Sequence, residues 1–303
     1  MALRSFKDGI DRMLQTLALS LLLFAAPVAA QVASPPAVRS TGSGSEAWVL
    51  LSGLVGGVSG FRALEKGLLQ ANGSARIVSI DPYHLSIDSA DVSFAALARR
   101  VNTVLDGLGV TSARLVGHSH GAGVALRVAA TAPDRVSALY FLDAGALESN
   151  HTQVLSLSLR LAPMIAKLPG GRSFLRRKLI KGIQENAGRR EWFDKAKQAE
   201  YTDGTVENIG RAVALAVRLG KSKEPDSLSA VVAKLRAPVT SIIGEAPHPS
   251  GAKPVEFTAL APIGDRLTVV RFPGVGHFPH EEATTKVADV LLGRGTTARS
   301  APK

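Results

Sequence analysis

The chain has 303 residues, of which 46% are hydrophobic, 20% charged and only 5% aromatic, and its formal net charge is +11. That length supports one large α/β domain with an inserted subdomain, and the composition fits a packed globular enzyme. Without cysteine, disulfides, thiolate zinc sites and thiol nucleophiles are excluded; without a recognised nucleic-acid motif, the positive charge does not point to nucleic acid as a partner.

Residues 1–30 read as a signal peptide. Arg4, Lys7 and Arg12 precede an apolar run from Leu17 to Ala26, and Val28-Ala29-Ala30 supplies the small residues a signal peptidase accepts. A periplasmic or secreted protein is expected, with cleavage near Ala30. An uncleaved anchor is the alternative, since Leu14 to Ala30 reaches the short limit for a membrane span. Residues 31–45 are rich in Pro, Ser, Gly and Ala and read as a linker.

Short apolar runs then alternate with helical patterns. Ala47–Leu51, Arg76–Ile80, Ala113–Val116, Ala138–Leu142, Val239–Ile243 and Arg266–Arg271 are candidate strands, apolar enough to be buried on both faces of a parallel sheet. Ser93 is placed to cap a helix with Leu97, Val101, Val104, Leu105 and Leu108 on one face. Gly121 to Ala130 predicts a small-residue helix that ends before Pro133. The alternation predicts a doubly wound, mostly parallel α/β sheet of six strands, with a core of residues 46–144 and 226–293. Residues 145–225 show helical patterns only and read as a helical cap inserted over one end of the sheet. Between Asn150 and Lys223 there are 15 Lys and Arg against 6 Asp and Glu, a local balance of +9. That surplus reads either as a solvated face or as attraction to an anionic membrane surface or substrate. Residues 294–303 read as a disordered tail.

Chemistry is concentrated at Gly117-His118-Ser119-His120-Gly121. A Gly-x-Ser-x-Gly match alone is weak, but this one follows an apolar strand and opens a small-residue helix. The glycines permit a turn too sharp for β-carbons, and the helix N-terminus directs N–H groups toward developing negative charge. A serine hydroxyl needs a base within hydrogen-bond reach. Of seven histidines, His277 follows the last predicted strand in a glycine-rich loop, which would set it beside Ser119 at the carboxyl edge of the sheet. His118 and His120 flank the serine with side chains expected to point elsewhere, and His280 is expected to pack at a helix start. His84, His151 and His248 have no motif context and read as surface or pocket lining. No regular spacing of metal ligands is apparent.

From about Ala47 to Leu292 the chain resembles an α/β hydrolase. Leu115 to Gly121 resembles the family's nucleophile elbow, and Gly274-Val275-Gly276-His277-Phe278-Pro279-His280-Glu281-Glu282 resembles its catalytic-histidine loop. Asp134-Arg135-Val136 before one strand and Leu235-Arg236-Ala237-Pro238 before another also fit. The resemblance implies Ser119 as nucleophile, His277 as base, and backbone N–H groups of Leu54 and His120 as the oxyanion hole. It implies no cofactor and no metal, and an ester or lipid-like small-molecule substrate. The chain departs from the family in three places. Ser52 stands where His usually precedes Gly. The two strands that often open the family's sheet have little room before Ala47. The loop after Val239–Ile243, where the family usually carries its acid, reads Gly244-Glu245-Ala246-Pro247-His248-Pro249. Asp143, at the end of the Ala138–Leu142 strand, is the leading candidate for the acid, Glu245 is the alternative, and neither is the third outcome. Serine at the elbow argues against Asp-nucleophile chemistry. A carboxylesterase or lipase, a thioesterase, a perhydrolase, a carbon–carbon bond hydrolase and a non-catalytic ligand-binding protein all remain open.

Overall fold

The computed structural model describes residues 37–43, 46–86, 89–145, 147–148, 157–251 and 254–294. The predicted signal peptide, most of the tail and His151 lie outside these residues. No helix among the described residues is long and apolar enough to cross a membrane.

A seven-stranded sheet forms the centre: β1 (Val38–Thr41), β2 (Ala47–Leu51), β3 (Arg76–Ile80), β4 (Ala113–His118), β5 (Val136–Leu142), β6 (Val239–Gly244) and β7 (Leu267–Phe272). Their order is β1-β3-β2-β4-β5-β6-β7, parallel except for the antiparallel β1–β3 pair. β3 and β4 flank β2 on opposite sides, so the winding reverses there and the loops after β2 and β4 open a crevice at their carboxyl ends.

Two expectations are corrected here. The sheet has seven strands, not six, and the predicted 31–45 linker contains the seventh. Val38–Thr41 pairs with β3 in the register Val38↔Ile80 to Thr41↔Ile77. Arg39 secures this edge strand by reaching the Val58 carbonyl at 2.8 Å and the Glu65 carboxylate at 2.5 Å. Four residues amid Pro, Ser and Gly have no visible periodicity; the free edge of β3 supplies the order.

The strands are buried because alternate side chains feed two cores. Val49, Leu51, Leu115 and Phe141 pack on one face against Phe94, Leu97 and Val101 of α2 (Phe94–Gly107) and against α3 (His120–Thr131). Trp48, Leu50, Val116 and Leu142 face α1 (Arg62–Ala71), through Leu64 and Leu68, on the other side. As expected, Ser93 caps α2, its Oγ accepting the Ala96 N–H at 3.2 Å. Between β5 and β6 the described residues form α4 (Leu157–Ile165), α5 (Gly171–Asn186), α6 (Lys195–Glu207), α7 (Ile209–Leu219) and the short α8 (Leu228–Val232). This helical segment rests on the carboxyl-end loops: Tyr201 of α6 joins Trp192, Phe193 and Phe278 in one aromatic cluster. After β6 come α9 (Pro254–Leu260), α10 (Pro279–Glu282) and α11 (Thr284–Leu291).

Candidate active site

Ser119 lies between β4 and α3 with φ 53° and ψ −125°. Tight packing enforces that turn. A β-carbon on Gly121 would lie 2.2 Å from the Leu51 carbonyl oxygen, and one on Gly117 would lie 2.5 Å from the Gly121 oxygen. Among the described residues only Ser119 and Asp143 (φ 42°) are non-glycine residues with positive φ. Strain of this kind costs on the order of 1–3 kcal/mol per residue and clusters where geometry serves a function. Both turns are stitched to neighbouring strands, the Ser119 N–H to the Leu142 carbonyl at 3.2 Å and the Asp143 N–H to the Ile242 carbonyl at 2.7 Å.

The structure joins Ser119, His277 and Asp143 in one hydrogen-bonded chain. Ser119 Oγ lies 2.9 Å from His277 Nε2, and His277 Nδ1 lies 2.7 Å from Asp143 Oδ2. A carboxylate only accepts, so Nδ1 carries the proton and Nε2 is left to accept the serine O–H. Burial pushes the Asp143 carboxyl up, but hydrogen bonds from His248 and His277 and their charge outweigh it and hold the group at about 2. The Gly244 N–H completes its partners, donating to Oδ1 at 2.9 Å.

Glu245, the alternative acid, does not join this chain. It is more than a third exposed, and its carboxylate turns toward Arg271 at 4.0 Å. Both residues lie one position past their strands, but Asp143 follows β5, which lies between β4 and β6, and turns there at φ 42°.

The His277 loop is held from the helical segment. The Asn186 carbonyl accepts the His277 N–H at 2.8 Å. The Glu282 carboxylate accepts the N–H groups of Gly276 (2.9 Å), Phe278 (3.1 Å) and Arg189 (2.7 Å). Lys197 and Tyr201 of α6 both reach Glu281, at 2.7 and 2.9 Å.

The remaining histidines divide. His120 turns away from the serine as expected, its ring edge-on to Phe94 and Nδ1 3.1 Å from the Tyr83 hydroxyl. His280 packs at the start of α10 against Phe61 and His118, as expected. His118 is more engaged than expected: Nε2 donates to the His277 carbonyl at 2.7 Å, bracing that residue from below. Burial, and the nearby His277, push the His118 imidazole down to about 3, so it serves as a neutral strut. His84 docks its backbone N–H on Asp81. His248, read from the sequence as surface or pocket lining, does line a pocket beside Asp143, and its Nε2 also lies 2.8 Å from Asp143 Oδ2. The only sequence signal for it is its place in the loop where the family usually carries its acid. Asp143, His248 and His277 thus bring three potential ligand atoms within 4.8 Å, a grouping that sequence spacing concealed. Their mutual hydrogen bonds already occupy those atoms.

The loop after β2 runs against the serine, since a β-carbon on Gly53 would meet Ser119 Cβ at 3.0 Å. Leu54 follows in that loop with its side chain exposed, and His120 is the first residue of α3. Both proposed oxyanion donors therefore belong to segments adjoining Ser119.

The sequence model of the alpha/beta hydrolase family matches residues 42–290. The sn-1-specific diacylglycerol lipase ABHD11 of Mus musculus is 28% identical over 150 residues, 48% of this chain and 48% of that protein. The match thus spans about half the length of that curated relative. Among solved structures, a bacterial membrane phospholipase A superimposes with a TM-score of 0.65 at 18% identity, covering 85% of this chain and 81% of the other. A bromoperoxidase from Bacillus anthracis does so with a TM-score of 0.63 at 16% identity, covering 85% and 94%. At these identities the structural likeness shows the fold alone.

Proposed function

Given that the chain belongs to the alpha/beta hydrolase family, we propose that it cleaves carboxylic esters through an acyl-enzyme on Ser119. The observation that carries this reading is the Ser119–His277–Asp143 chain, closed at 2.9 and 2.7 Å on a strained, glycine-flanked serine. In this mechanism Ser119 Oγ attacks the acyl carbonyl while His277 Nε2 takes the hydroxyl proton. The carbonyl oxygen becomes an oxyanion held by the backbone N–H groups of Leu54 and His120. Asp143 stabilises the imidazolium and keeps its tautomer. Collapse breaks the ester C–O bond, and His277 returns the proton to the departing alcohol. Water then attacks the acyl-enzyme with His277 again as base, releasing the acid and restoring Ser119.

A non-catalytic ligand-binding protein would be favoured by a missing acid after β6; the 2.7 Å contact of Asp143 with His277 supports the catalytic reading over it. A fluorophosphonate probe should label the purified wild-type protein stoichiometrically. Absence of labelling on folded protein would sink the ester-hydrolase reading.

For the substrate we propose a lipid-like ester met at an anionic surface. The name of the ABHD11 relative supports a lipid ester, and the helical segment supports the surface. Four of the five exposed large apolar side chains among the described residues, Leu161, Met164, Leu168 and Phe174, fall within 14 residues of it. From residue 157 to 184 there are seven Lys and Arg and no Asp or Glu. Exposed apolar side chains interspersed along the chain with cations match the boundary of an anionic bilayer. The protein should sediment with phosphatidylglycerol vesicles and not with phosphatidylcholine vesicles, and about 0.5 M salt should release it. Equal partition onto both, or onto neither, would reject the surface. The pattern of residues 1–30 supports export, which N-terminal sequencing of the mature protein checks: an intact Met1 would reject cleavage.

A further inference from the structure

We infer that His248 is a positioning residue of the hydrolytic centre, a cationic imidazole that shares the Asp143 carboxylate with His277. The inference rests on the ester-hydrolase reading for its effect on rate, but its charge state stands on geometry alone. His248 Nδ1 lies 2.7 Å from the Ala246 carbonyl oxygen, and Nε2 lies 2.8 Å from Asp143 Oδ2. A carbonyl oxygen can only accept, so Nδ1 carries a proton. The carboxylate also accepts, because the Gly244 N–H on Oδ1 and His277 Nδ1 on Oδ2 both favour its ionised form. Nε2 must therefore donate as well, and an imidazole that donates from both nitrogens carries a positive charge.

The surroundings support that charge. The His248 side chain is only 6% exposed and its ring centroid lies 5.6 Å from that of His277. Asp143 faces it from the end of β5, His277 from the loop after β7, and Glu282 from α10 adds a second negative charge. On its own loop, Glu245 turns away to Arg271. Hydrogen bonding to Asp143 raises the His248 imidazole above its ordinary value, outweighing burial.

Two consequences follow for the reaction. First, Asp143 is held at positive φ by donors on three sides, so His248 helps aim the oxygen that orients His277. Second, a fixed cation beside the shared carboxylate sets a positive charge 5.6 Å from the ring on which the imidazolium of the reaction forms, so its removal changes the field at that ring. His248 thus occupies the loop after β6, where the family usually carries its acid, and serves Asp143 from there.

The charge is read directly by pH-resolved ¹⁵N NMR of the histidine rings in the wild-type protein. Both His248 nitrogens should remain protonated at pH 7; a neutral ring there would overturn the inference whether or not the protein turns over esters. For the rate, His248→Ala should lower kcat about 10- to 100-fold with KM little changed. His248→Gln, which keeps an N–H donor without the charge, should recover to within about five-fold. In both variants the acid limb of kcat/KM should move up by about one pH unit. An unmoved limb, or a loss in His248→Ala that Gln does not rescue while the unfolding midpoint falls, would reduce His248 to packing and reject a positioning role. Should the Ala variant fail to fold, the Gln variant carries the test through its limb. Wild type that shows the doubly protonated ring yet resists fluorophosphonate would reject the hydrolase reading and leave the charge assignment standing.

Discussion

Ser119→Ala should reduce kcat for a p-nitrophenyl ester by about six orders of magnitude, and adding His277→Ala should cost almost nothing more. The reason is that hydroxyl and imidazole act as one unit: Nε2, 2.9 Å from Oγ, has no proton to remove once the oxygen is gone. Residual rate in either variant then comes from the oxyanion donors and substrate binding alone. Steady-state kinetics on the two single variants and the double variant check this. Additive losses would show that His277 acts on something other than the Ser119 hydroxyl. Neither substitution should impair folding, because Ala at 119 loses only an oxygen and the His277 loop remains held by Asn186 and Glu282.

Asp143→Asn should lower kcat/KM by about four orders of magnitude, whereas Glu245→Gln should stay within about two-fold of wild type. An amide at 143 either presents a donor to the Nδ1–H of His277 or offers an uncharged oxygen, so the imidazole loses its tautomer and its counter-charge. His248 would lose its partner in the same step, which deepens the effect. Glu245, exposed and 4.0 Å from Arg271, has no path to His277. A large loss in Glu245→Gln with a small one in Asp143→Asn would transfer the acid to the β6 loop.

These variants address the part of the site that the sequence left open. Ser119 and His277 were legible because their signals are local: an apolar strand, a glycine-flanked turn and a small-residue helix for one, a glycine-rich loop after the last strand for the other. Four of the six expected strands overlap the observed ones with shifts of one or two residues at their ends, and Ala47–Leu51 and Arg76–Ile80 coincide. Apolar runs buried on both faces mark their presence well and their ends poorly, since ladder pairing continues into residues such as Gly117 and His118 of β4.

What the sequence by itself determined is the α/β class, the Ser119 elbow and the His277 loop, because each is encoded in consecutive residues whose local conformation is set by β-carbon crowding and apolar periodicity. The acid, the edge strand and the histidine brackets were decided only in the tertiary structure. Asp143 reaches His277 because β5 lies between β4 and β6, an adjacency no spacing reveals. Val38–Thr41 is a strand because β3 exposes an unpaired edge. His118 and His248 acquire roles because residues 159 apart (His118 and His277) and 105 apart (His248 and Asp143) come together at one carboxyl edge, where a buried carbonyl and carboxylate must each find a donor.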